Sequence, residues 1–393
     1  MRNRVFVFVL SALILLSIPS SLRAENLIVR SLGGLNVVQT LCRVVGCTVV
    51  RGLDDPASQV FLVNTTYSVK GLPSIENLAR AIGISNIEAD QLLNVLDGEP
   101  ALVRSVANAY GNQPAANVVR ASEARKEFGA QGRGVVAVID TGIDGTHPAL
   151  RGSVVPGYDF TRNESGWASE TADVTQSTAA VLDDPHFAAF GHGTMVAGII
   201  HMVAPGALLM PLKAFRSDGS GYLSDIVRAI YRAAGNARVI NMSFSTLDYS
   251  LELDRALQFA ADRDLVAVSS VGNNGRKMKV YPAALPSTLG IASTDYNDRR
   301  SNFSNYGDEL VSLAAPGENI TSTFPYASYA VGSGTSFSAP FVSGAATLLL
   351  DLNASLTRSD TAKAVSKAKP VNSDLGAGRL DIYRALQWLR FSR

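Results

Sequence analysis

Three short segments of this chain carry side chains that could together perform nucleophilic chemistry. Gly334-Thr335-Ser336-Phe337-Ser338-Ala339-Pro340 sets a serine ahead of an apolar run that ends at Leu350. Thr335 reads as an N-terminal cap and Pro340 as a first-turn proline, so Ser336 falls at the start of a helix. A hydroxyl there lies beside backbone N–H groups that lack intrahelical partners and can hold a developing negative charge. A serine needs a base. Gly191-His192-Gly193-Thr194 reads as a glycine turn opening a small-residue helix, with His192 as the candidate base. Val136-Ala137-Val138-Ile139-Asp140 reads as a buried parallel strand ending in a carboxylate that could orient the imidazole. The implied chemistry is acyl transfer: Ser336 attacks a carbonyl, His192 takes and returns the proton, and Asp140 fixes the tautomer. A capping serine, a turn histidine and a strand-end carboxylate are each common alone; the three in this order are not.

The order Asp140, His192, Ser336, each on its own kind of element, resembles the subtilisin-like serine peptidases. The resemblance implies a second oxyanion donor in Val271-Gly272-Asn273-Asn274-Gly275, where the side-chain amide of Asn273 would serve; an Asn-Gly turn is the alternative reading. It also implies an extended substrate between Asp218-Gly219-Ser220-Gly221 and Ser243-Phe244-Ser245. Gly219, Ser220, Gly221, Ser243, Phe244 and Ser245 are therefore candidate substrate-binding residues, the glycines letting a foreign backbone approach. Ser245 replaces a frequent family glycine, which narrows the cleft. Val280, before Tyr281-Pro282, falls on the floor of the primary pocket, implying small or medium apolar side chains. Phe337 stands where many relatives carry methionine.

The pattern departs from the family at calcium. Many relatives place an acid after the His-Pro pair, where this chain has Ala149. They also insert a polar loop after the histidine helix, where Met202-Val203-Ala204-Pro205 follows directly. The tight calcium site is thus expected to be absent, and neither a metal nor a cofactor is expected. The acid-bearing stretches 163–170 and 183–184 could take calcium, but read better as solvated loops. His147, His186 and His201 read as structural.

The elements that must hold these residues follow from patterning. Apolar runs at 135–139, 208–212, 239–242, 265–269 and 289–293 read as strands, and amphipathic periods at 223–234 and 251–262 as helices. Such alternation predicts an α/β fold: a subtilisin-like, doubly wound parallel sheet over 111–393. Ahead of it, residues 25–90 run strand, helix, strand, strand, helix, strand. This small α+β, ferredoxin-like arrangement resembles the inhibitory propeptide of subtilisin relatives. With a connection at 91–110 it forms a propeptide domain over 25–110, and Tyr110–Gly111 is the candidate self-cleavage bond. Residues 1–24, with Arg2, Arg4 and an apolar run to Ile18, read as a signal peptide cut after Ala24. Cys42 and Cys47 are either a local disulfide or two buried thiols.

The remaining composition narrows function. Apolar content of 47%, charged content of 18% and a net charge of +1 describe a packed globular chain without a basic stripe, so nucleic acid is not an expected partner. After the N-terminal run, nothing is apolar and long enough for stable membrane insertion. The expectation is a secreted (extracellular or periplasmic) serine endopeptidase, made as a self-processed precursor and inhibited by its own propeptide, with protein or peptide substrates. The alternatives are a narrowly specific processing peptidase and a catalytically inactive peptide-binding protein on the same fold.

Overall fold

A computed structural model describes residues 25–55, 57–66, 77, 79–95, 103–105, 107–174 and 184–391. Residues 1–24, read above as a signal peptide, most of the start of the second helix expected within 25–90, and Asp183 lie outside these residues. The chain divides into one unit ending at Gln91 and another beginning at Leu92.

The first unit contains β1 (Glu25–Ser31), α1 (Gly34–Val45), β2 (Cys47–Gly52), β3 (Val60–Thr65) and β4 (Ile84–Ala89). The strands form an antiparallel sheet in the order β2-β3-β1-β4. Residues 77 and 79–81 are helical. Helix α1 buries Val38, Leu41, Cys42 and Val45, the face set by its helical period, against Leu27, Val29, Phe61 and Val63 of the sheet. Gly46 ends α1 in the left-handed conformation, and a disulfide then joins Cys42 to Cys47 across that turn.

The second unit opens with two short strands, β5 (Leu92–Asn94) and β6 (Val103–Ser105), and three short helices, α2 (Ala107–Gly111), α3 (Pro114–Val118) and α4 (Ala121–Phe128). An eight-stranded sheet follows. It is made of β7 (Gly134–Asp140), β8 (Gly157–Asp159), β9 (Glu164–Gly166), β10 (Ala207–Lys213), β12 (Val239–Met242), β13 (Val266–Ser270), β14 (Thr288–Thr294) and β15 (Leu313–Pro316). Their order is β15-β14-β13-β12-β7-β10-β8-β9. All neighbours are parallel except β8 and β9. The fold is thus α/β, with the first long strand at the centre and the chain winding out to both sides.

Helices cover both faces. Val136 and Val138 of β7 join a core with α5 (His192–Val203), α8 (Thr335–Leu352) and α10 (Ile382–Phe391). On the other face α6 (Leu223–Ala234) packs on β7 and α7 (Leu251–Ala261) on β13. This two-sided burial explains why these strands read as unbroken apolar runs. Helix α8 is buried from Thr335 to Leu350, so it lacks a polar stripe. Between β10 and α6 lies the edge strand β11 (Ser220–Tyr222). β16 (Ile320–Phe324) and β17 (Ser328–Gly332) form a hairpin that β6 extends to three strands, and α9 (Arg358–Val365) completes the unit.

Two expectations change here. Thr335 is not the cap of α8: Gly334 is, and Pro340 sits inside the helix, in its second turn. The Tyr110–Gly111 bond lies within α2, and Tyr110 is built into the second unit. Its hydroxyl donates to the Gly198 carbonyl at 2.7 Å, and its ring packs 5.6 Å from that of Tyr329.

Candidate active site

Ligand sites in open parallel sheets gather at the carboxyl ends of the strands, where the winding reverses. Asp140 is the last residue of β7, the strand from which the winding departs in both directions. His192 is the first residue of α5 and Ser336 the second of α8. All three are buried. The sequence glycines have concrete reasons. Gly193 is where α5 crosses the end of β7, and a Cβ there would strike the Gly142 carbonyl. Gly191 turns into α5 at φ 89°, and a Cβ there would strike the Phe324 ring.

Nδ1 of His192 lies 2.7 Å from Oδ1 of Asp140. That oxygen also accepts the Thr141 N–H at 2.7 Å. A carboxylate oxygen accepts only, so Nδ1 carries the proton and Nε2 is the basic nitrogen of the ring. The imidazole ring lies 5.7 Å from the Phe337 ring, which brings it to the first turn of α8.

Ser336 is held from the end of β12. Its Oγ donates to the Ser243 carbonyl at 3.1 Å, and Ser243 Oγ donates to the Ser336 carbonyl at 2.8 Å. Pro340 supplies the reason for the second bond. It has no N–H, so the Ser336 carbonyl four residues earlier has no helical partner, and Ser243 provides one. Asn241 Nδ2 in turn donates to Ser243 Oγ at 2.9 Å.

Asn273 follows β13. Its Oδ1 accepts from Thr335 N at 2.8 Å and Thr335 Oγ1 at 3.0 Å, while Thr335 Oγ1 accepts from Gly272 N at 3.1 Å. Two donors fix which end of the amide is oxygen, so the orientation of Nδ2 is set by the residue preceding Ser336.

The other predicted residues are placed as follows. Ser220–Tyr222 pairs antiparallel with Leu92–Asn94, with Gly221 opposite Leu93 and Ser220 opposite Asn94, and Val95 N donates to the Gly219 carbonyl at 2.8 Å. Leu93 and Val95 are buried while Leu92 and Asn94 are exposed, the alternation of an added strand. Phe244 is buried, its ring 5.0 Å from that of Phe215. Ser245 is buried near Gly272. Val280 is buried in a cluster with Val271, Ala283 and Ala292. His147 is buried, accepts from Ala149 N at 3.2 Å through Nδ1 and bonds the Ser328 carbonyl at 2.9 Å through Nε2; burial lowers its pKa. His186 pairs with Asp184 at 2.9 Å on the surface. Among the described residues no cluster of three or more His, Cys, Asp or Glu could hold a metal.

Three positions escaped the sequence reading. Ser243 holds Ser336 through two hydrogen bonds, whereas the sequence offered only a substrate role. Glu170 belongs to a stretch read as a solvated loop, yet it is completely buried. Lys213, the last residue of β10, is also completely buried, and its Nζ donates to the carbonyls of Thr141 and Phe215 and to Asp173 Oδ2. A charged residue ending a strand, beside the candidate acid Asp140, was the available signal.

Comparison with known proteins agrees with this geometry. The model of the subtilase family matches residues 132–380. This chain belongs to the subtilase family. It is a serine endopeptidase with a subtilisin-like fold. It is 33% identical to thermitase of Thermoactinomyces vulgaris over 66% of this chain and 91% of that protein. It is 36% identical to subtilisin BL of Lederbergia lenta over 58% of this chain and 80% of that protein. Against the thermophilic serine proteinase of Bacillus sp. (strain AK1) the identity is 34%, over 64% of this subtilase and 61% of the relative. Among solved structures, fervidolysin of Fervidobacterium pennivorans, described as a keratinolytic enzyme related to subtilisin, superposes with a TM-score of 0.76 at 24% identity. That match covers 94% of this subtilase and 62% of fervidolysin, and bears on the fold alone. No helix among the described residues is long and apolar enough to cross a membrane.

Proposed function

We propose that this subtilase hydrolyses peptide bonds through Asp140, His192 and Ser336, is exported, and is made as a precursor that processes itself. The Asp140–His192 bond of 2.7 Å at the carboxyl edge of the sheet, with Ser336 opening α8, is the observation that supports the triad most directly. Ser336 Oγ attacks the substrate carbonyl as His192 Nε2 takes its proton, and Asp140 stabilises the imidazolium. Asn273 Nδ2 and the Ser336 N–H stabilise the tetrahedral oxyanion. Collapse expels the amine, protonated by His192, and leaves an acyl-enzyme that water hydrolyses by the same steps in reverse roles. The reaction uses protein groups alone, with no cofactor, and the tight calcium site of many relatives is expected to be lacking at Ala149.

The paired strands β5 and β11 support a substrate bound in extended form along Gly219, Ser220 and Gly221, with Ser243, Phe244 and Ser245 on the opposite side. They also support self-inhibition and self-processing, because the strand occupying that edge is the chain's own. Residues 103–105 are already part of the β16–β17 sheet. These pairings support a processing bond between Val95 and Val103 rather than at Tyr110–Gly111. Export is supported by the N-terminal targeting pattern and by the Cys42–Cys47 disulfide. With Val280 flooring the primary pocket, small or medium apolar side chains are preferred.

The test is incubation of the purified protein with a peptide library, with and without a serine-directed phosphonate. The reading requires cleavage abolished by the reagent and the adduct mass located on Ser336. Cleavage that survives full labelling would reject it.

A further inference from the structure

A buried carboxylate that the triad does not include binds both halves of it. Glu170 Oε2 accepts from Thr141 Oγ1 at 2.7 Å and from Gly191 N at 2.9 Å; Oε1 accepts from Thr194 N at 3.1 Å and from Thr194 Oγ1. Thr141 directly follows Asp140, and Gly191 and Thr194 bracket His192. We propose that Glu170 is a positioning residue that, as a carboxylate, ties the loop bearing the catalytic acid to the helix bearing the base.

Two of the four contacts are backbone N–H groups that can only donate, and the two hydroxyls also donate when the group is ionised, so the ionised carboxylate accepts from all four. The Thr141 hydroxyl is shared: it lies 2.7 Å from Glu170 and 3.3 Å from Asp140 Oδ1, while Gly193 N donates to it at 3.0 Å. One proton cannot serve two acceptors. With Glu170 ionised, the Thr141 hydroxyl proton points to Glu170 and leaves Asp140 Oδ1 to the His192 Nδ1–H and the Thr141 backbone N–H. With Glu170 protonated, its O–H takes a threonine hydroxyl as acceptor; where that is Thr141, the Thr141 proton turns toward Asp140, competing with the imidazole. The charged groups around Glu170 are Asp140 from β7, His192 from α5, Lys213 from β10, Asp173 from its own short helix, and Asp144 and Tyr326 from the adjoining loops. Burial raises the Glu170 carboxyl to about 7 against the pull of Thr194, Thr141 and Lys213. Its ionisation therefore changes across the range in which an imidazole base also gains or loses its proton.

The proposal rests on the triad reading, and the experiment separates the two. Wild type, Glu170→Gln, Glu170→Asp and Thr141→Val are titrated with the serine-directed phosphonate, and kcat and KM on a short peptide are expressed per labelled site across pH 5–9. Failure of the wild type to label at Ser336 would overturn the triad itself. If it labels, kcat per site in Glu170→Gln should fall about tenfold to a hundredfold with KM within about twofold. The acid limb of kcat/KM should be steeper than one proton in wild type, one-proton in Glu170→Gln, and steep again in Glu170→Asp. Thr141→Val should lower kcat per site similarly, and carries the test if Glu170→Gln does not fold. An unchanged kcat per site, or an acid limb of the same steepness in wild type and Glu170→Gln, would overturn the role, whatever the effect on yield or melting temperature.

Discussion

Ser243 and Ser336 exchange two hydrogen bonds: the side chain of each donates to the backbone carbonyl of the other. The bond from Ser243 Oγ exists because Pro340 deprives the Ser336 carbonyl of its helical partner. A helix-breaking residue inside α8 thus lets the end of β12 grip Ser336. Ser243→Ala should leave a buried carbonyl without a donor and cost about 1–3 kcal/mol of stability. Urea denaturation in a Ser336→Ala background, which prevents self-digestion, measures this; a midpoint equal to the parent's would show that the bond contributes nothing.

Ser336→Ala by itself should accumulate as unprocessed precursor. The strand pairing of Leu92–Asn94 with Ser220–Tyr222 motivates this, since it lays the chain's own residues along the substrate edge. Intact mass and N-terminal sequencing report it. The wild type should yield a mature N-terminus between residues 96 and 103, and normal processing of the mutant in a protease-free system would disprove self-cleavage.

Asn273→Leu should lower kcat by about a hundredfold to a thousandfold with little change in KM, the magnitude known for loss of the corresponding asparagine donor in subtilisin. Thr335→Val removes one of the contacts that orient the Asn273 amide and should lower kcat less. Steady-state kinetics on one peptide decides between them: equal losses would mean that Thr335 acts through something other than Asn273.

Stability should fall as pH rises through the titration of Glu170. Its carboxyl is raised from 4.5 to about 7 by burial, so the folded state favours the protonated form. The stability this contributes is complete below about 4.5, and is lost as pH climbs toward and through about 7. Activity should rise over the same interval. In a Ser336→Ala background, urea midpoints at pH 5 and pH 8 should differ more with Glu170 in place than in Glu170→Gln; parallel lines would refute the linkage.

Mild peroxide should leave most activity intact. Phe337 follows Ser336, the proposed nucleophile, where many relatives carry a methionine, and its ring packs near His192. Met195, three residues past His192, and Met242 are both fully buried, so oxidant reaches neither readily. Phe337→Met should introduce a thioether whose sulfoxide crowds the oxyanion site. Residual activity against peroxide exposure compares the two; equal and rapid loss would place the sensitive sulfur elsewhere.

The parts of this subtilase legible in its sequence were those governed by local chemistry. Val136 to Asp140 could only be a buried strand with a carboxylate at its end, and Gly191-His192-Gly193 could only be a close-packed turn into a helix. In the first unit, the period of Val38, Leu41, Cys42 and Val45 marked the buried face of α1. What the tertiary structure decided depended on residues distant in the chain. Pro340 read as a helix start because a proline's missing N–H is harmless there; that Ser243, 93 residues before Ser336, could satisfy the freed carbonyl was invisible. Tyr110 read as a linker residue because its short helix has no period, and its partial burial comes from contact with Gly198 and Tyr329. Glu170 read as a solvated acid because an isolated carboxylate belongs in water. Only the folded chain brings Thr141, Gly191 and Thr194 together as the donors that hold it.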